Sequence, residues 1–460
     1  MSNPESFDLI VIGSGGGLMV ALAAAQRNMK VALIERGPMG GTCLNRGCIP
    51  SKMIIYPGEL ADEIRESGRI NISVAAPKVN FSRVIERTAR QVSKISQELE
   101  LNISRLPSLE RIAAVASFES NNVLRAGTRK LTAPRILIAT GAEPDCPDIP
   151  GLADVPYMTS TEALTNSICP KRLLVIGAGY IAVELGYAYG AAGSDVQLIV
   201  RSRLLRHEDD EIAAEFTKLF SSQHKCHMGY KLHNVNYDGK TYSLDCVHET
   251  KGERTITGDA LLVATGVRPL TYDLGLDLTD VQVDKSGYIL VDSSLKTHVP
   301  GVYALGDVVG NYKFRHTANH EARYLIRKLI EGQEPGALDY GPVPHAIFSR
   351  PEIAGVGLRE QDVANRSNEV VIGRTTFAAS NAGIARGIRN GFAKILVQRS
   401  DHKLLGCHIM GDEAATLLHM MIPLLKTEAT LNDMLDLIFI HPALPEILRD
   451  AARDAQSKLR

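Results

Sequence analysis

Two segments of the sequence have the pattern of a buried strand, a glycine-rich turn, a helix and a second strand. The first runs from residues 7–12 (FDLIVI) through residues 13–17 (GSGGG) and an alanine-rich stretch to residues 31–35 (VALIE). In such a βαβ unit Gly13 permits a tight turn, Gly15 lets backbone approach a pyrophosphate, and Glu35 accepts hydrogen bonds from a ribose. The pattern predicts a dinucleotide site, although Leu18 stands at the third glycine position and weakens the expected packing of helix on strand.

The second copy covers residues 173–184 (LLVIGAGYIAVE) and 196–200 (VQLIV), with alanine at the third glycine position. A site for NAD ends the second strand in an acid, but this sequence has Val200, followed by residues 201–206 (RSRLLR). Guanidinium groups bind phosphate through a planar fork of donors, so Arg201, Arg203 and Arg206 predict a site for the 2′-phosphate of NADPH. The alternative is that these arginines form a solvated basic turn.

Residues 40–52 (GGTCLNRGCIPSK) contain two cysteines, Cys43 and Cys48, five positions apart. Five residues are about one and a half helical turns, so a local distortion must bring the sulfurs within bonding range. A bridge that closes so short a loop adds little stability, which favours a dithiol that opens and closes during turnover. Two unrelated buried thiols are the alternative.

Composition excludes several classes of protein. A chain of 460 residues is too long for one core, so we expect several domains. Its 51 Lys and Arg nearly balance its 52 Asp and Glu, so we expect neither nucleic acid nor a membrane as partner. The seven cysteines are scattered without metal-ligand spacing, which predicts a cytoplasmic protein without a metal site. The apolar run 9–25 is interrupted by glycines and serine and lacks a basic leader, so we expect no signal peptide or membrane span.

Two dinucleotide sites on one chain indicate a relay of electrons between cofactors. Together with the cysteine run, they make the chain resemble the flavoprotein disulfide reductases, a family that includes dihydrolipoamide dehydrogenase, glutathione reductase and mycothione reductase. The resemblance extends over essentially the whole chain and includes residues 136–141 (ILIATG), 262–266 (LVATG), 297–307 (THVPGVYALGD) and 441–446 (HPALPE).

The resemblance implies an α/β protein with two Rossmann-like dinucleotide-binding domains, for FAD and NAD(P), and a C-terminal α+β dimerisation domain. The expected limits are 1–145 for the FAD domain, 146–264 for the NAD(P)H domain, 265–339 for a return to the FAD domain and 340–460 for dimerisation. The expected assembly is a homodimer whose active sites are shared between the subunits.

The resemblance also implies roles for single residues. Cys48 would hold the thiolate nearest to the flavin, while Cys43 would attack the substrate disulfide. His441, oriented by Glu446, would protonate the departing thiol in the other subunit. Lys52 and Glu184 would form an ion pair near the flavin, and Tyr180 would cover the nicotinamide pocket. The implied FAD ligands are Gly13, Gly15, Gly17, Glu35, Thr42, Lys52, Thr140, Gly141, Gly306 and Asp307, and the implied NADPH ligands are Gly177, Gly179, Tyr180, Ala182, Glu184, Arg201, Arg203, Arg206 and Gly266.

The expected activity is NADPH-dependent reduction of a low-molecular-weight disulfide through FAD and the Cys43–Cys48 pair. Such an activity would contribute to cell redox homeostasis. Mercuric reductases and large thioredoxin reductases carry a C-terminal cysteine pair, whereas the last cysteine here is Cys407. Glutathione reductases present arginine in the first flavin-domain helix, and residues 18–25 contain none. NAD-linked dihydrolipoamide dehydrogenase stays open as the alternative. A single-cysteine oxidase or peroxidase and a non-catalytic dimer are less favoured, because both cysteines, His441 and Glu446 are present.

Two further segments carry structural expectations. Apolar residues at helical spacing predict a packed helix over residues 80–103. Residues 226–258 are polar and are expected to be irregular, apart from a hairpin turn at residues 237–240 (YDGK).

Overall fold

Short runs of Leu, Ile and Val, with no polar side chain among them, form the central strands of the first sheet. The computed structural model describes residues 3–459, so residues 1, 2 and 460, at the ends of the predicted terminal domains, lie outside it. Up to residue 145 the chain forms β1 (Glu5–Ser6), β2 (Leu9–Ile12), α1 (Gly17–Ala25), β3 (Val31–Ile34), α2 (Gly41–Arg46), α3 (Cys48–Glu66), α4 (Phe81–Ser104), β4 (Leu109–Ile112), β5 (Ala116–Ser120), β6 (Val123–Ala126), β7 (Arg129–Thr132), β8 (Ile136–Ile138) and β9 (Ala142–Pro144).

The middle of the chain repeats the alternation of strand and helix and then adds antiparallel strands. Its elements are α5 (Ser160–Ala163), β10 (Arg172–Ile176), α6 (Tyr180–Ala191), β11 (Asp195–Val200), α7 (Asp210–Gln223), β12 (Lys225–Met228), β13 (Tyr230–Tyr237), β14 (Tyr242–His248), β15 (Gly252–Gly258), β16 (Ala260–Val263), β17 (Val267–Pro269), β18 (Val302–Ala304) and α8 (Arg315–Leu325).

The last third of the chain contains an antiparallel sheet and short helices. Its elements are β19 (His345–Ile347), β20 (Ile353–Gly357), β21 (Val370–Thr376), α9 (Asn381–Arg386), β22 (Phe392–Gln398), β23 (Leu404–Met410), α10 (Ala414–Leu418), α11 (Met421–Lys426), α12 (Leu431–Leu435) and α13 (Glu446–Leu459). A π-helical turn covers Ile326–Ile330, and short 3-10 helices cover Ser67–Ile70, Leu152–Asp154, Leu276–Leu278, Gly306–Val308, Glu360–Arg366 and Phe377–Ala379.

The first of two structural units comprises residues 3–51, Ile85–Asp145 and Gly266–Tyr340. Its central sheet is parallel, in the order β18-β8-β2-β3-β4. Since the carboxyl ends of parallel strands share one edge, the segments that follow β2, β8 and β18 lie together there. A four-stranded sheet, β1-β7-β6-β5, and the pair β17-β9 complete the unit.

The second unit comprises Lys52–Val84, Cys146–Thr265 and residues 341–459. It contains a parallel sheet in the order β12-β11-β10-β16, with α6 between β10 and β11, and an antiparallel sheet β13-β14-β15. Its C-terminal part is the antiparallel sheet β19-β20-β23-β22-β21, on which α13 packs. The contact is close, because a Cβ added to Gly373 of β21 would lie 2.0 Å from the carbonyl oxygen of Ala451 in α13.

The helix predicted over residues 80–103 is confirmed as α4, and the hairpin turn at residues 237–240 is confirmed between β13 and β14. The expectation of irregular structure over residues 226–258 is wrong, because most of this segment forms β13, β14 and β15. Buried and partly exposed residues alternate along β14 (YSLDCVH), and this period-2 signal is present in the sequence, but the expectation followed the polarity of the whole segment instead. Between residues 3 and 459, no helix has the length and apolar character needed to cross a membrane.

Candidate active site

The first glycine-rich turn joins β2 to α1 and requires glycine at Gly13. This residue has φ +100°, and a Cβ there would lie 2.3 Å from the carbonyl oxygen of Ala139. Its amide donates to the carbonyl of Ile34, 2.8 Å away, so the turn is tied to the end of β3. A Cβ at Gly15 would have the Arg315 guanidinium as its nearest neighbour, at 3.8 Å, which leaves room for an anion beside a cation.

The leucine at the third glycine position does not prevent close packing of α1 on the sheet. Leu18 is buried in the core of the first unit. The close approach occurs one residue earlier, where a Cβ on Gly17 would lie 2.7 Å from Cγ1 of Val11 and 2.9 Å from Cβ of Ala139. The departure from the glycine pattern is therefore accommodated by a shift of the contact from residue 18 to residue 17.

The Glu35 carboxylate lies directly after β3 and is almost fully buried. One oxygen accepts hydrogen bonds from the amide and hydroxyl of Ser14, at 2.9 and 2.7 Å, and the other from the amide of Gly37 at 2.8 Å. An ionised carboxylate has about four acceptor positions. It is thus fixed in place by these three donors and keeps capacity for a ribose hydroxyl.

The other residues implied as FAD ligands in this unit cluster at the same edge of the sheet or beside its glycine turn. Thr140 and Gly141 follow β8, and the Thr140 hydroxyl donates to the carbonyl of Leu270, 2.8 Å away. Gly306 and Asp307 follow β18, and burial raises the pKa of Asp307 against the opposing charges of Lys313 and Arg315. Thr42 is exposed in the first turn of α2, next to Gly41, where a Cβ would lie 2.7 Å from Cα of Gly15. A tight glycine turn, a fixed carboxylate and a nearby guanidinium fit an adenine dinucleotide.

The two cysteines lie on either side of a break between helices. Cys43 is in α2, which ends at Arg46, and Cys48 is the first residue of α3. Gly47 forms the break, where a Cβ would lie 3.1 Å from the carbonyl oxygen of Thr42. The break lets the thiols hydrogen-bond to each other, and this bond, together with burial and the charge of Cys48, raises the pKa of the Cys43 thiol. Cys48 is exposed and Cys43 is partly buried.

Lys52 and Glu184 form an ion pair inside the second unit. The Lys52 ammonium lies 3.1 and 2.9 Å from the two carboxylate oxygens, and it lies 4.4 Å from the ring centroid of Phe348. The amide of Phe348 also donates to Glu184 at 3.0 Å. Burial raises the pKa of Glu184, although Lys52 and the Phe348 amide oppose the shift. The carboxylate therefore depends on its partners to stay ionised.

Replacing Lys52 with methionine is expected to destabilise the protein by about 1–3 kcal/mol at pH 8, because Glu184 keeps its burial and loses its cation. The folded-state pKa of Glu184 lies above its unfolded value, so its cost is present at high pH and disappears as the carboxyl takes up a proton. Thermal unfolding of both proteins should show a smaller loss at pH 5 than at pH 8. Lys218→Met, at an exposed position of α7, is the control and should change stability by less than about 0.5 kcal/mol. Equal losses of Lys52→Met at the two pH values would contradict this account.

The second glycine-rich turn joins β10 to α6. Gly177 has φ +145°, and a Cβ there would lie 2.3 Å from the carbonyl oxygen of Ala264. A Cβ at Gly179 would meet nothing within 4 Å, so the backbone at the start of α6 is open to a ligand. Tyr180, the first residue of α6, is 42% exposed, and Ala182 is buried. Gly266, implied as an NADPH ligand, belongs to the first unit.

The two turns can be matched residue by residue through one backbone hydrogen bond. In the first unit the amide of Gly13 donates to Ile34, and the next residue is Glu35. In the second unit the amide of Gly177 donates to Ile199 at 3.4 Å, and the next residue is Val200. Val200 is fully buried at the end of β11. The position of the ribose-binding acid is therefore apolar in the second unit.

We call residues 201–206, which follow Val200, the arginine turn. Leu204 and Leu205 are buried beneath it, and the amide of Leu205 donates to the carbonyl of Ala178 at 2.8 Å. Leu205 has φ +50°, a conformation that costs a non-glycine residue about 1–2 kcal/mol, so surrounding contacts must hold the turn. The arginines differ: Arg201 and Arg206 are exposed, while Arg203 is partly buried and pairs with Asp210.

His441 and Glu446 are hydrogen-bonded in the C-terminal part of the second unit. Nδ1 of His441 lies 3.0 Å from the Glu446 carboxylate, which also accepts from the amide of Ala443 at 3.0 Å and from Arg449 at 2.6 Å. The hydrogen bond to His441, with those from Ala443 and Arg449, lowers the pKa of Glu446 to about 2. The carboxylate is buried and the imidazole is 62% exposed. Orientation of the ring by a fixed anion leaves Nε2 available for proton transfer.

The surface next to this histidine is apolar. Ile438 is fully exposed and Ile440 is 82% exposed, and Leu437 is 45% exposed. Large aliphatic side chains exposed together in this way are typical of a surface that a partner covers.

Comparison with known proteins agrees with this arrangement. The family model for pyridine nucleotide-disulphide oxidoreductases matches residues 7–322, and the model for their dimerisation domain matches residues 343–452. The chain belongs to this family. It is therefore a flavoprotein of the disulfide oxidoreductase class, with FAD as a cofactor and a dimerisation domain in its C-terminal part.

Individual relatives cover the chain almost completely. The chain is 32% identical to dihydrolipoyl dehydrogenase of Chlorobaculum tepidum over 465 residues, which cover 98% of this chain and 97% of the relative. It is also 32% identical to mycothione reductase of Mycobacterium tuberculosis over 460 residues, which cover 97% of this chain and 99% of the relative. The solved structure of the HOCl-induced flavoprotein disulfide reductase RclA from Escherichia coli has a TM-score of 0.88 at 24% identity, covering 99% of this chain and all of RclA, and it supports the fold.

Several residues that support these groups were not predicted. Ser14 and Gly37 hold Glu35, Phe348 supports the Lys52–Glu184 pair, and Arg449 is a third partner of Glu446. Ser14 and Gly37 could have been suspected from their places beside Gly13 and Glu35. Phe348 lies 164 positions from Glu184, and no sequence pattern marks that contact.

Proposed function

We propose that the protein is an NADPH-dependent, FAD-dependent reductase of a low-molecular-weight disulfide. The observation that carries the choice of coenzyme is the arginine turn, which follows Val200 at the position where the first unit has Glu35. A buried valine offers no acceptor to the ribose hydroxyls of NAD, and the guanidinium groups of Arg201, Arg203 and Arg206 offer donors to a 2′-phosphate. The reaction is NADPH + H⁺ + RSSR → NADP⁺ + 2 RSH.

The dithiol would perform the exchange with the substrate. The thiolate of Cys43 attacks one substrate sulfur, the S–S bond breaks, and a mixed disulfide forms as the first thiolate leaves. The Cys48 thiolate then attacks the Cys43 sulfur, which releases the second thiolate and closes the Cys43–Cys48 disulfide. When bound, the flavin supplies the two electrons, originally those of the nicotinamide hydride, that reopen it. The mutual hydrogen bond of the thiols supports this pairing, because it holds the two sulfurs next to each other, as closure of the disulfide requires.

A proton must reach the departing thiolate, and we propose His441 of the partner subunit as its donor. The hydrogen bond that the ring makes to the Glu446 carboxylate fixes its orientation, and the exposed apolar residues Ile438 and Ile440 favour burial of this surface in a homodimer. For Lys52 and Glu184 we propose the role at the flavin that the family resemblance implies.

The alternative is NAD-linked oxidation of dihydrolipoamide. It is favoured by the relative from Chlorobaculum tepidum, which is named dihydrolipoyl dehydrogenase and is as similar to this chain, at 32% identity, as mycothione reductase is. The same dithiol and His–Glu pair would serve either direction of thiol–disulfide exchange, so the coenzyme is the feature that separates the two candidates.

The deciding experiment is anaerobic stopped-flow reduction of the purified holoenzyme by NADPH and, separately, by NADH. A preference for NADPH of about a hundredfold or more supports the proposal, and a panel of small disulfides then identifies the substrate. A preference for NADH, with turnover of dihydrolipoamide and NAD⁺, would replace the proposal by the alternative. Titration of thiols after reduction should reveal two more thiols per subunit than before.

Replacing Arg201 with alanine is expected to raise the KM for NADPH about tenfold and to leave the KM for NADH within about twofold, since one charge-assisted contact to the phosphate is lost. Steady-state kinetics with both coenzymes measure this difference. Arg254→Ala, on exposed β15 of the same unit, is the matched control and should change neither KM. If Arg201→Ala raised both KM values equally, the side chain would have no specific contact with the phosphate.

A further inference from the structure

The residues that immediately follow the arginine turn are held by a segment of the dimerisation domain. Residues 207–210 contact residues 359–362, which we call the clamp segment. Arg359 donates to the carbonyl of His207 at 2.6 Å, the amide of Glu360 donates to the carboxylate of Asp209 at 2.9 Å, and Gln361 donates to the carbonyl of Glu208 at 2.8 Å. Gln361 also accepts from the amide of Asp210 at 3.1 Å.

A buried lysine fixes the same residues from below. Lys394 on β22 is 1% exposed, and its ammonium lies 2.8 Å from Asp209 and 3.1 Å from Glu211 and also contacts Glu360. Asp209 in turn caps α7 by accepting from the amides of Glu211 and Ile212. A buried cation surrounded by carboxylates allows little movement, because separation of the charges would leave the buried Lys394 ammonium without a counter-ion.

Two arginines of the turn are each linked to one clamp contact. Arg203 pairs with Asp210, whose amide is bound by Gln361. The Nε of Arg206 donates to Nε2 of His207, 3.2 Å away, and the carbonyl of that histidine is bound by Arg359. Arg201 lies at the start of the turn, directly after β11.

We propose that Gln361 and Arg359 of the dimerisation domain are positioning residues for coenzyme selectivity, because they hold Arg203 and Arg206 where a 2′-phosphate would bind. This inference rests on the proposed use of NADPH. The reason lies at Leu205, whose left-handed backbone conformation is unfavourable. The arginine turn therefore keeps its shape only if both ends of the turn are fixed. β11 fixes one end, and the clamp segment fixes the other.

The test compares Gln361→Ala and Arg359→Ala with the wild-type holoenzyme. We expect each variant to bind adenosine 2′,5′-bisphosphate about tenfold more weakly by isothermal titration, while the affinity for adenosine 5′-diphosphate stays within about twofold. The KM for NADPH should rise by the same factor at unchanged kcat. Arg359→Lys should restore part of the affinity. Arg366→Ala, an exposed arginine at the far end of the same 3-10 helix, is the control and should bind both nucleotides as the wild type does.

A double-variant cycle tests the route of the effect. In an Arg203→Ala background, Gln361→Ala should weaken binding of the bisphosphate by less than about twofold, because its effect passes through Arg203. Additive losses, equal losses for both nucleotides, or no loss in the single variants would overturn the inference while wild-type selectivity for NADPH stands. A wild-type preference for NADH would overturn the proposed coenzyme, and this inference with it.

Discussion

Replacing Cys48 with serine is expected to lower the rate of disulfide reduction by at least about a thousandfold, because a serine hydroxyl neither ionises near neutral pH nor closes a disulfide with Cys43. Cys43→Ser should have the same effect, since it removes the nucleophile itself. The measurement is steady-state turnover of a small disulfide at saturating NADPH, with FAD content measured on each sample. The two side chains lie on either side of the Gly47 break between α2 and α3 and are not fully buried, and serine is only slightly smaller than cysteine, so we expect normal folding.

Two controls separate loss of the dithiol from general damage. Cys146→Ser changes an exposed cysteine of the second unit and should leave turnover within about twofold of the wild type. Reduction of ferricyanide by NADPH should persist in Cys48→Ser, because this one-electron acceptor does not require the dithiol. Retention of more than about a tenth of the disulfide activity in either active-site variant would disprove the exchange mechanism.

Replacing His441 with glutamine is expected to lower kcat for disulfide reduction by about a hundredfold to ten-thousandfold, the range for loss of a general acid. Glutamine keeps a hydrogen-bonding group near Glu446 but cannot donate and recover a proton. Ferricyanide reduction should be unchanged, because it needs no proton at the departing thiol. His419→Gln, at an exposed histidine whose Nδ1 lies 2.7 Å from the carbonyl oxygen of Ala415, is the control. An unchanged kcat in His441→Gln would remove this residue from the reaction.

The low pKa of Glu446 gives a separate expectation for stability. Its value of about 2 lies below that of an unfolded glutamate, so the stabilisation that it provides is complete above about pH 5 and is lost as pH falls towards 2. Thermal unfolding of Glu446→Gln should therefore differ from the wild type by a constant amount between pH 5 and 8. The difference should shrink below pH 4. A difference that grew on acidification would show that another group stabilises this region.

Sequence patterns predicted the parts of the fold in which local spacing carries the information. The two strand–turn–helix units, the helix over residues 80–103 and the family itself followed from apolar periodicity and from short motifs. We also inferred that Cys43 and Cys48 lie close together. The helix break at Gly47 that allows this was not predicted, because it depends on how closely Gly47 approaches the carbonyl oxygen of Thr42. The antiparallel strands over residues 226–258 were missed, because the expectation followed the overall polarity of the segment and not the alternation of apolar and polar residues that β14 shows.

Contacts between distant parts of the chain could not be predicted. Lys394 and Asp209 are separated by 185 positions, and a lysine within an apolar strand gives no sign of its partners. The Ser14 hydroxyl donates to Glu35 across 21 positions of sequence. A serine in a glycine-rich turn does not by itself indicate that its side chain donates to a distant carboxylate. The shift of close packing from residue 18 to Gly17 required the position of Val11 on the neighbouring strand.

The matched turns of the two units also bear on how the chain receives its ligands as it matures. A nucleotide with a 2′-phosphate would bring about two negative charges against the fixed Glu35 carboxylate, whereas a ribose with free hydroxyls can donate to it. Val200 reverses this choice in the second unit, where no anion stands at the same place. If the second unit binds NADPH as proposed, the different residues at this one backbone position would sort the two dinucleotides, because Glu35 would disfavour a 2′-phosphate in the first unit and Val200 would not in the second.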